Sequence, residues 1–235
     1  MARKRFSRCI FFLVDGARAD VVQDMLDAGE LPNLKKHVVD CGSGRTAASV
    51  FPSTTGPAHA PFITGCTPGT CEIPGIRWLD RHQSDARSHF RQSRSYVGPG
   101  ALYMDEDLAP GIRTIFEYFD RPAGVFSFLN RGLTLLQNKT LLHKSWYWFY
   151  AHYTGHWQAV DDAAWRLTEK AVDKGSDFVF SVFPAVDEHS HHTHPFSEKT
   201  QESYRRFDRG FGVLVERLSR DKKLEDTLFV LSSDH

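Results

Sequence analysis

The chain has 235 residues, and its 29 Lys plus Arg balance 29 Asp plus Glu, so the formal net charge is zero with histidine neutral. This balance excludes an overall field that would attract a nucleic-acid polymer or an anionic membrane. The length suffices for one α/β domain with a sizeable core, and no stretch is apolar for long enough to span a membrane. These numbers fit an enzyme domain, and they leave its chemistry and its oligomeric state open.

The N-terminus carries a basic cluster, Arg3 to Arg8, that resembles the start of a secretory signal peptide. The apolar run after it, Cys9 to Val14, is shorter than a secretory core because Asp15 interrupts it. We therefore interpret the run as the first strand and predict a cytoplasmic protein. The cysteines form no CxxC pair, so we expect reduced, structural thiols.

Short apolar runs alternate with helix-like stretches along the chain, which predicts an α/β fold. The first strand precedes a helix that Asp20 can cap and that Gly29 ends. The run Thr46 to Phe51 is the next predicted strand. Thr55 then comes at the junction between this strand and a helix that begins at Pro57. Unpaired backbone N–H groups and the helix dipole favour a phosphate at such a junction.

The middle of the chain carries no motif that predicts a function. From about Asp80 to Tyr103 it is polar and rich in Arg and Ser, with a short strand expected near Ser95 to Val97. Leu141 to Trp157 has apolar residues at spacings of three and four, which predicts one apolar helix face. We favour packing as the role of this face, and the alternative is a cap that gates the substrate, so residues 82–160 are a possible inserted cap. The face consists of Leu142, Trp146, Phe149, Tyr150, Tyr153 and Trp157.

Two more strands complete the predicted sheet, Phe178 to Phe183 and Leu228 to Leu231, with a helix from Asp161 to about Asp173 before them. The predicted fold class is α/β, with a mostly parallel central sheet and helices on both faces. In such sheets ligands bind outside the carboxyl ends of the strands. The polar residues that follow the strands should therefore converge at one edge. They are Asp15, Thr55, Asp187, His191, Asp234 and His235.

A histidine-rich run, Asp187 to His194, is the most metal-like local segment. Asp187 and His191 are four residues apart, so both side chains can reach one ion if a helix begins after the strand. For this segment taken alone, the alternative is a solvent-exposed run that binds metal only adventitiously. The preceding strand, and the second Asp–His pair at Asp234 and His235, favour a functional metal site.

Four segments carry a resemblance to a known family: VDGARAD, PSTTGPAHAPFITG, PAVDEHSHH and the terminal SSDH. In this order they resemble the type I phosphodiesterase and nucleotide pyrophosphatase branch of the alkaline phosphatase superfamily. The resemblance touches nearly the whole chain apart from about 82 to 175. It implies a single alkaline phosphatase-like catalytic domain over residues 1–235.

The resemblance also implies roles for individual residues. In the family pattern P-T-x-T-x-P-x-H the second threonine is the nucleophile, and Thr55 corresponds to it in this chain. The implied cofactors are two divalent ions, with zinc favoured because carboxylate and imidazole ligands suit it. The implied ligands are Asp15, Thr55, Asp234 and His235 for one metal, and Asp187 and His191 for the other.

The chain departs from the family pattern at two places. Ile76 occupies the position at which many relatives have a phosphate-binding asparagine. The neighbouring Arg77 is the candidate replacement, and the equally favoured alternative is that Arg77 is an exposed arginine that pairs with Asp80. The family also takes a last histidine ligand from well beyond the Asp–His pair, whereas this chain ends at His235. We therefore expect a C-terminally truncated domain whose second metal site is one ligand short.

The leading interpretation is a metal-dependent hydrolase of phosphate esters that uses a threonine nucleophile and two metal ions. A phosphodiester or pyrophosphate bond is favoured, since a monoester would require additional cationic groups for its second charge. The alternatives are a phosphomonoesterase of the same superfamily and a non-catalytic metal-binding pseudoenzyme or fragment. The expected partner is a small phosphate-ester substrate.

Overall fold

A parallel sheet of four strands forms the centre of the fold. The computed structural model describes residues 6–80, 93–140 and 144–235. The strands are β1 (Arg8–Val14), β2 (Arg77–Leu79), β3 (Ser93–Ser95), β4 (Pro122–Val125), β5 (Phe178–Phe183) and β6 (Thr227–Ser232). The main sheet has the order β4-β5-β1-β6, with every neighbouring pair parallel. β2 and β3 form a separate antiparallel pair.

Helices connect the strands and cover the sheet. The α-helices are Ala19–Asp27, Pro32–Leu34, Thr55–Thr64, Pro68–Cys71, Met104–Asp107, Lys144–Thr154, Trp157–Asp173, Ala185–His192 and Glu198–Arg220. A π-helical turn, Lys35–Val39, continues the second of these, and short 3-10 helices lie at Gly98–Tyr103, Ile115–Tyr118 and Leu224–Asp226. In the described ranges, no helix combines the length and the apolar character that crossing a membrane requires.

The side chains of β1 show how both faces of the sheet are covered. Phe12 lies against Phe211 of the helix Glu198–Arg220, with ring centroids 6.0 Å apart. The next residue towards the N-terminus, Phe11, points to the opposite face and lies 5.7 Å from Phe62 of the helix Thr55–Thr64. Successive side chains of a strand alternate between its two faces. The predicted fold class is confirmed, because helices pack on both faces of a parallel sheet.

The strand register brings three strand ends to the same level. Val14 of β1 is paired with Phe183 of β5, and Leu13 is paired with Ser232 of β6. The chain after each strand therefore leaves the sheet at one edge. The Asp15 N–H donates to the carbonyl of Phe183 at 3.0 Å, which extends the ladder one residue beyond β1.

The strand predicted at Thr46 to Phe51 is wrong. These residues form no regular element in the structure, and the Phe51 side chain is 92% exposed. Both sides of β1 are already occupied by β5 and β6, so the run has no place beside the central strand. The sheet instead has β4 at its edge, which the sequence reasoning missed because Pro-Ala-Gly-Val lacks the β-branched pattern of a strand.

Three helix starts differ from the prediction. The helix expected from Pro57 begins at Thr55, so Thr55 is its first residue. The helix expected to follow an Asp20 cap begins at Ala19, so Asp20 lies inside its first turn, where its carboxylate accepts from the Val21 N–H at 2.9 Å. The helix expected from Asp161 begins at Trp157. In all three cases the helix begins further towards the N-terminus than the sequence predicted, as is common for helix ends.

The aromatic face predicted for Leu141 to Trp157 is largely on the outside, so its favoured packing role is wrong for most members. Leu142 lies outside the described residues, and Trp157 is buried in the next helix. The packed side of Lys144–Thr154 is formed by Tyr147 against Phe126 and by Trp148 against Phe128. The helix is aromatic all round, so its period could not tell the packed side from the exposed one. The exposed members are Trp146, Phe149, Tyr150 and Tyr153.

The segment 82–160, predicted as a possible inserted cap, lies partly outside the described residues. Its described part includes β4, which pairs with β5 in the main sheet. It also includes β3, which pairs with β2. The role of this segment as a cap over the strand ends stays a prediction.

Candidate active site

The predicted site residues lie at the carboxyl edge of the sheet. Asp15 directly follows β1, and the pair Asp234 and His235 follows β6. Asp187 lies in the first turn of Ala185–His192, the helix that begins after β5. Thr55 is the first residue of the helix Thr55–Thr64. The topology therefore brings together residues that are far apart in sequence.

His235 is the centre of this cluster. Its Nε2 lies 3.4 Å from Asp15 Oδ1, 3.7 Å from Asp234 Oδ2 and 3.9 Å from Asp187 Oδ1. The Thr55 hydroxyl oxygen is 3.5 Å from the same nitrogen. Four ligands around one zinc ion at their usual bond lengths would have their atoms about 3.3–3.6 Å apart. The distances from His235 Nε2 to Asp15 and Thr55 lie in this range, and the distance to Asp234 lies just above it.

The second pair, Asp187 and His191, has the geometry that its spacing predicted. His191 Nε2 lies 3.3 Å from Asp187 Oδ2, one helical turn apart, and the His191 side chain is 70% exposed. The other carboxylate oxygen of Asp187 faces His235. His189, on the same helix, is turned away and bonds through Nδ1 to the Ser203 hydroxyl at 2.7 Å.

Gly16 allows the close approach of Asp15 and Asp187. Its φ is +64°, and a Cβ at this position would lie 2.6 Å from Asp187 Oδ1. Its N–H donates to Asp234 Oδ1 at 3.2 Å. The turn after β1 therefore needs a residue without a side chain and also orients one carboxylate of the cluster.

The electrostatics of the cluster favour a cation. Burial raises the pKa of Asp15 well above its usual range, and the nearby Asp234 adds to this. Burial also raises the pKa of Asp187. The pKa of His235 rises to about 9, chiefly through its contact with Asp15. Carboxylates this close repel one another, and a bound cation removes that cost.

Unpaired buried atoms support the same conclusion. Asp15 Oδ1 and Asp234 Oδ2 are buried and have no hydrogen-bond partner among the described residues. Buried polar atoms without a partner are rare in folded proteins, and coordination of a metal ion is one way in which such atoms are satisfied. The residues present therefore fit the divalent ions that the family resemblance implies.

His59 is a site residue that sequence reasoning missed, although it belongs to the threonine motif. It is 2% exposed, and its Nε2 lies 3.2 Å from Asp234 Oδ2. Asp15, His59 and Asp234 form one group that could hold a metal, and Asp15, Asp187 and His235 form another. The spacing of four residues between Thr55 and His59 could have revealed it, because it puts both on one helix face.

Arg77 is not joined to the cluster by any hydrogen bond or ion pair among the described residues. It is exposed on β2, opposite Ser95 of β3. Tyr96, directly after β3, packs on the first turn of Thr55–Thr64, where a Cβ at Gly56 would lie 2.2 Å from Tyr96 Cδ1. The β2–β3 pair that carries Arg77 is thereby attached beside Thr55, a contact that the polar composition of this stretch did not predict.

The parallel sheet defines an α/β protein, and carboxylates and imidazoles that could hold a metal ion lie at its strand ends. The sequence profile of the type I phosphodiesterase / nucleotide pyrophosphatase family matches residues 9–235, and the chain belongs to this family. A comparison with curated protein sequences finds no match.

Solved structures share the fold. Phosphonoacetate hydrolase from Sinorhizobium meliloti, in complex with phosphonoformate, is 19% identical with a TM-score of 0.70, and the match covers 99% of this chain and 57% of that one. Murine ectonucleotide pyrophosphatase / phosphodiesterase 5 is 16% identical with a TM-score of 0.64, and the match covers 97% and 57%. An inactive threonine-to-alanine variant of the murine protein was solved in complex with AMP. The chain thus spans 57% of the length of these structures.

Proposed function

We propose that the protein is a metal-dependent hydrolase that cleaves phosphodiester or pyrophosphate bonds with Thr55 as nucleophile. The observation that carries the proposal is the convergence on His235 Nε2 of Thr55, Asp15, Asp234 and Asp187, all within 3.9 Å. A hydroxyl among ligand atoms of this kind has the surroundings that a threonine nucleophile requires.

The position of Thr55 suits attack on phosphorus. As the first residue of a helix it lies at the positive end of the helix dipole, beside backbone N–H groups without helical partners. These donors can hold the non-bridging oxygens of a phosphate. In the murine relative the inactive variant is a threonine-to-alanine change, which supports a threonine in this role.

The ligand assignment follows the family pattern, and the contacts of His235 with Asp15, Asp234 and Thr55 and of His191 with Asp187 support it. Asp15, Asp234 and His235, with Thr55, would hold one divalent ion, and Asp187 and His191 would hold the other. Two such ions, when bound, would lower the pKa of the hydroxyl and offset the charge that develops on the attacking and leaving oxygens. Zinc suits these carboxylate and imidazole donors.

The chain's own part in the reaction is to bring Thr55 Oγ1 in line with phosphorus. The Thr55 hydroxyl loses its proton to solvent as its oxygen forms the bond to phosphorus and the bond to the leaving oxygen breaks. The leaving group takes up a proton from solvent. Water then hydrolyses the phospho-threonine and restores the hydroxyl. In the metal-free protein His235 holds a proton, since its pKa is raised to about 9, so metal binding must release it.

A diester is preferred over a monoester because the site has few cations of its own. The carboxylates of the cluster have only histidines as ion-pair partners among the described residues. A monoester dianion would need an additional Arg or Lys. Arg77, attached beside Thr55 through Tyr96, is the candidate contact for a substrate phosphate oxygen.

An assay after metal reconstitution tests the proposal. Protein stripped with a chelator is titrated with zinc and tested on bis(p-nitrophenyl) phosphate, p-nitrophenyl phosphate and phosphonoacetate. We expect zinc-dependent hydrolysis that is fastest with the diester. Faster cleavage of the monoester would favour a phosphomonoesterase, and faster cleavage of phosphonoacetate would favour the activity named for the bacterial neighbour. Zinc binding without hydrolysis of any substrate would indicate a non-catalytic member.

A further inference from the structure

His59 and Asp234 form a contact that the nucleophile and ligand assignments do not use. Thr55 and His59 are one turn apart on the same helix, and Asp234 and His235 are consecutive after β6. Thr55 faces His235 at 3.5 Å, and His59 faces Asp234 at 3.2 Å. The helix Thr55–Thr64 therefore contacts the residues after β6 through two pairs, Thr55 with His235 and His59 with Asp234.

The surroundings of His59 fix its ring in this orientation. The residue is 2% exposed, and its ring packs edge-on against Phe128 with centroids 4.9 Å apart. Neither of its ring nitrogens has a hydrogen-bond partner among the described residues. Asp234 Oδ2 is the carboxylate oxygen that Nε2 faces, and it too lacks a partner. The ion-pair contact that the structure gives His59 is the one with Asp234.

The ligand number decides between two roles for His59. Asp15, Thr55, Asp234 and His235 already supply four ligand atoms, which is the usual number for zinc. His59 also lies with Asp15 and Asp234 in a group whose ligand atoms could hold a metal ion, so ligation by His59 is the alternative role. Its direct ligation would add a fifth donor, whereas a ligating carboxylate commonly accepts a hydrogen bond from a residue behind it.

We propose that His59 is a positioning residue that holds the Asp234 carboxylate for a divalent ion by donating its Nε2–H to Oδ2. The Gly16 N–H holds the other oxygen, Oδ1, at 3.2 Å. A donor that faces each oxygen would keep the carboxylate in one orientation as the ion binds. The inference rests on the proposed metal site, and it concerns the orientation of a ligand rather than the reaction.

A pair of substitutions of similar size tests the role. Gln at position 59 keeps an N–H donor for Asp234, and Leu fills the space without one. We expect His59→Leu to weaken the affinity of the tighter zinc ion about 10- to 100-fold, the usual cost of losing such a partner, and His59→Gln to recover most of it. Zinc affinity is measured by competition with a zinc chelator. Unfolding in EDTA checks that both variants fold, and His37→Leu is the control substitution of a histidine outside the cluster.

Cobalt separates positioning from ligation. Visible spectra of the cobalt-loaded wild type and variants report the ligands directly, so a positioning role predicts unchanged band positions with weaker binding. A changed spectrum in His59→Gln would make His59 a ligand and overturn the proposal, as would equal zinc affinity of wild type and His59→Leu. A wild type that binds neither zinc nor cobalt would refute the proposed metal site itself.

Discussion

The edge of the sheet and the helix Lys144–Thr154 both break the rule that polar side chains lie outside and apolar ones inside. At the edge, Asp15 and Asp234 are 5% and 2% exposed. On the helix, Trp146 and Tyr153 are 63% and 85% exposed. Buried carboxylates need a compensating charge, so their burial indicates a function. Exposed aromatic rings on a helix that is aromatic all round carry no such implication by themselves.

The largest effect is expected from removal of the proposed nucleophile in the acidic cluster at the sheet edge. We expect Thr55→Ala to lower turnover of a phosphodiester by about a thousandfold or more, because no other hydroxyl touches the His235 nitrogen among the described residues. Metal affinity should fall far less, since three ligands remain. Turnover is measured by initial rates and metal content by elemental analysis.

The adjacent threonine provides the control for this change. Thr54 precedes the helix, and its buried hydroxyl has no partner among the described residues. Thr54→Ala should therefore retain most of the activity, and Thr55→Ser should retain part of it because a hydroxyl stays in place. Equal losses in Thr54→Ala and Thr55→Ala would contradict the assignment of Thr55.

Two tryptophans of the predicted aromatic face test whether its exposed rings contribute to stability. Trp157 is 1% exposed, so Trp157→Ala should cost about 3–5 kcal/mol of unfolding free energy. Trp146 is 63% exposed, and its alanine variant should change that free energy by about 0.5 kcal/mol at most. Urea unfolding at constant pH measures both. Similar costs at the two positions would show that Trp146 is covered by something in solution.

The sequence predicted the strands that carry a clear apolar run and missed the one that does not. β1, β5 and β6 are runs of apolar and aromatic residues, and their ends located Asp15, Asp187 and Asp234. β4 lacks such a run, and its pairing with β5 depends on tertiary contacts that the local sequence does not encode. The spacing from Thr55 puts His59 on the same helix face, but its contact with Asp234 depends on the position of a residue far away in the sequence.

Gly16 lies in the turn after β1, where it allows the close approach of Asp187. Its substitution can be compared with that of Gly29, a glycine outside the cluster. In Gly16→Ala a Cβ would lie 2.6 Å from Asp187 Oδ1, at a residue whose φ is +64°. We expect a loss of about 2–3 kcal/mol of stability from strain and displacement, together with weaker metal binding. Gly29 is the matched control, because its φ is +74° and a Cβ there would meet nothing within 4 Å. Gly29→Ala should lower the free energy of unfolding by only about 1 kcal/mol and leave metal affinity unchanged. A similar loss of metal affinity in both variants would exclude the clash with Asp187 as the cause.

The smallest expected effect concerns a buried acid outside the cluster. Asp161 is 2% exposed, and its carboxylate accepts from the N–H of Ala185, the first residue of the helix that carries Asp187. Burial raises its pKa well above the ordinary value. A folded-state pKa above the unfolded one means that the folded protein binds the proton more tightly, so stability is lost as the pH rises from about 4 through the folded pKa.

Asparagine at this position should remove that loss, because it keeps an oxygen for the Ala185 N–H and carries no charge. In EDTA, we expect Asp161→Asn to be more stable than wild type at pH 8 by on the order of 1 kcal/mol, with a smaller difference at pH 5. Asp162→Asn is the control, since Asp162 is part-exposed and pairs with Arg206 at 3.3 Å. A stability gain that is the same at both pH values would mean that the charge of Asp161 is not its cause. A larger gain at pH 8 than at pH 5 would show that burial of a carboxylate is costly in this fold even where a helix N-terminus faces it.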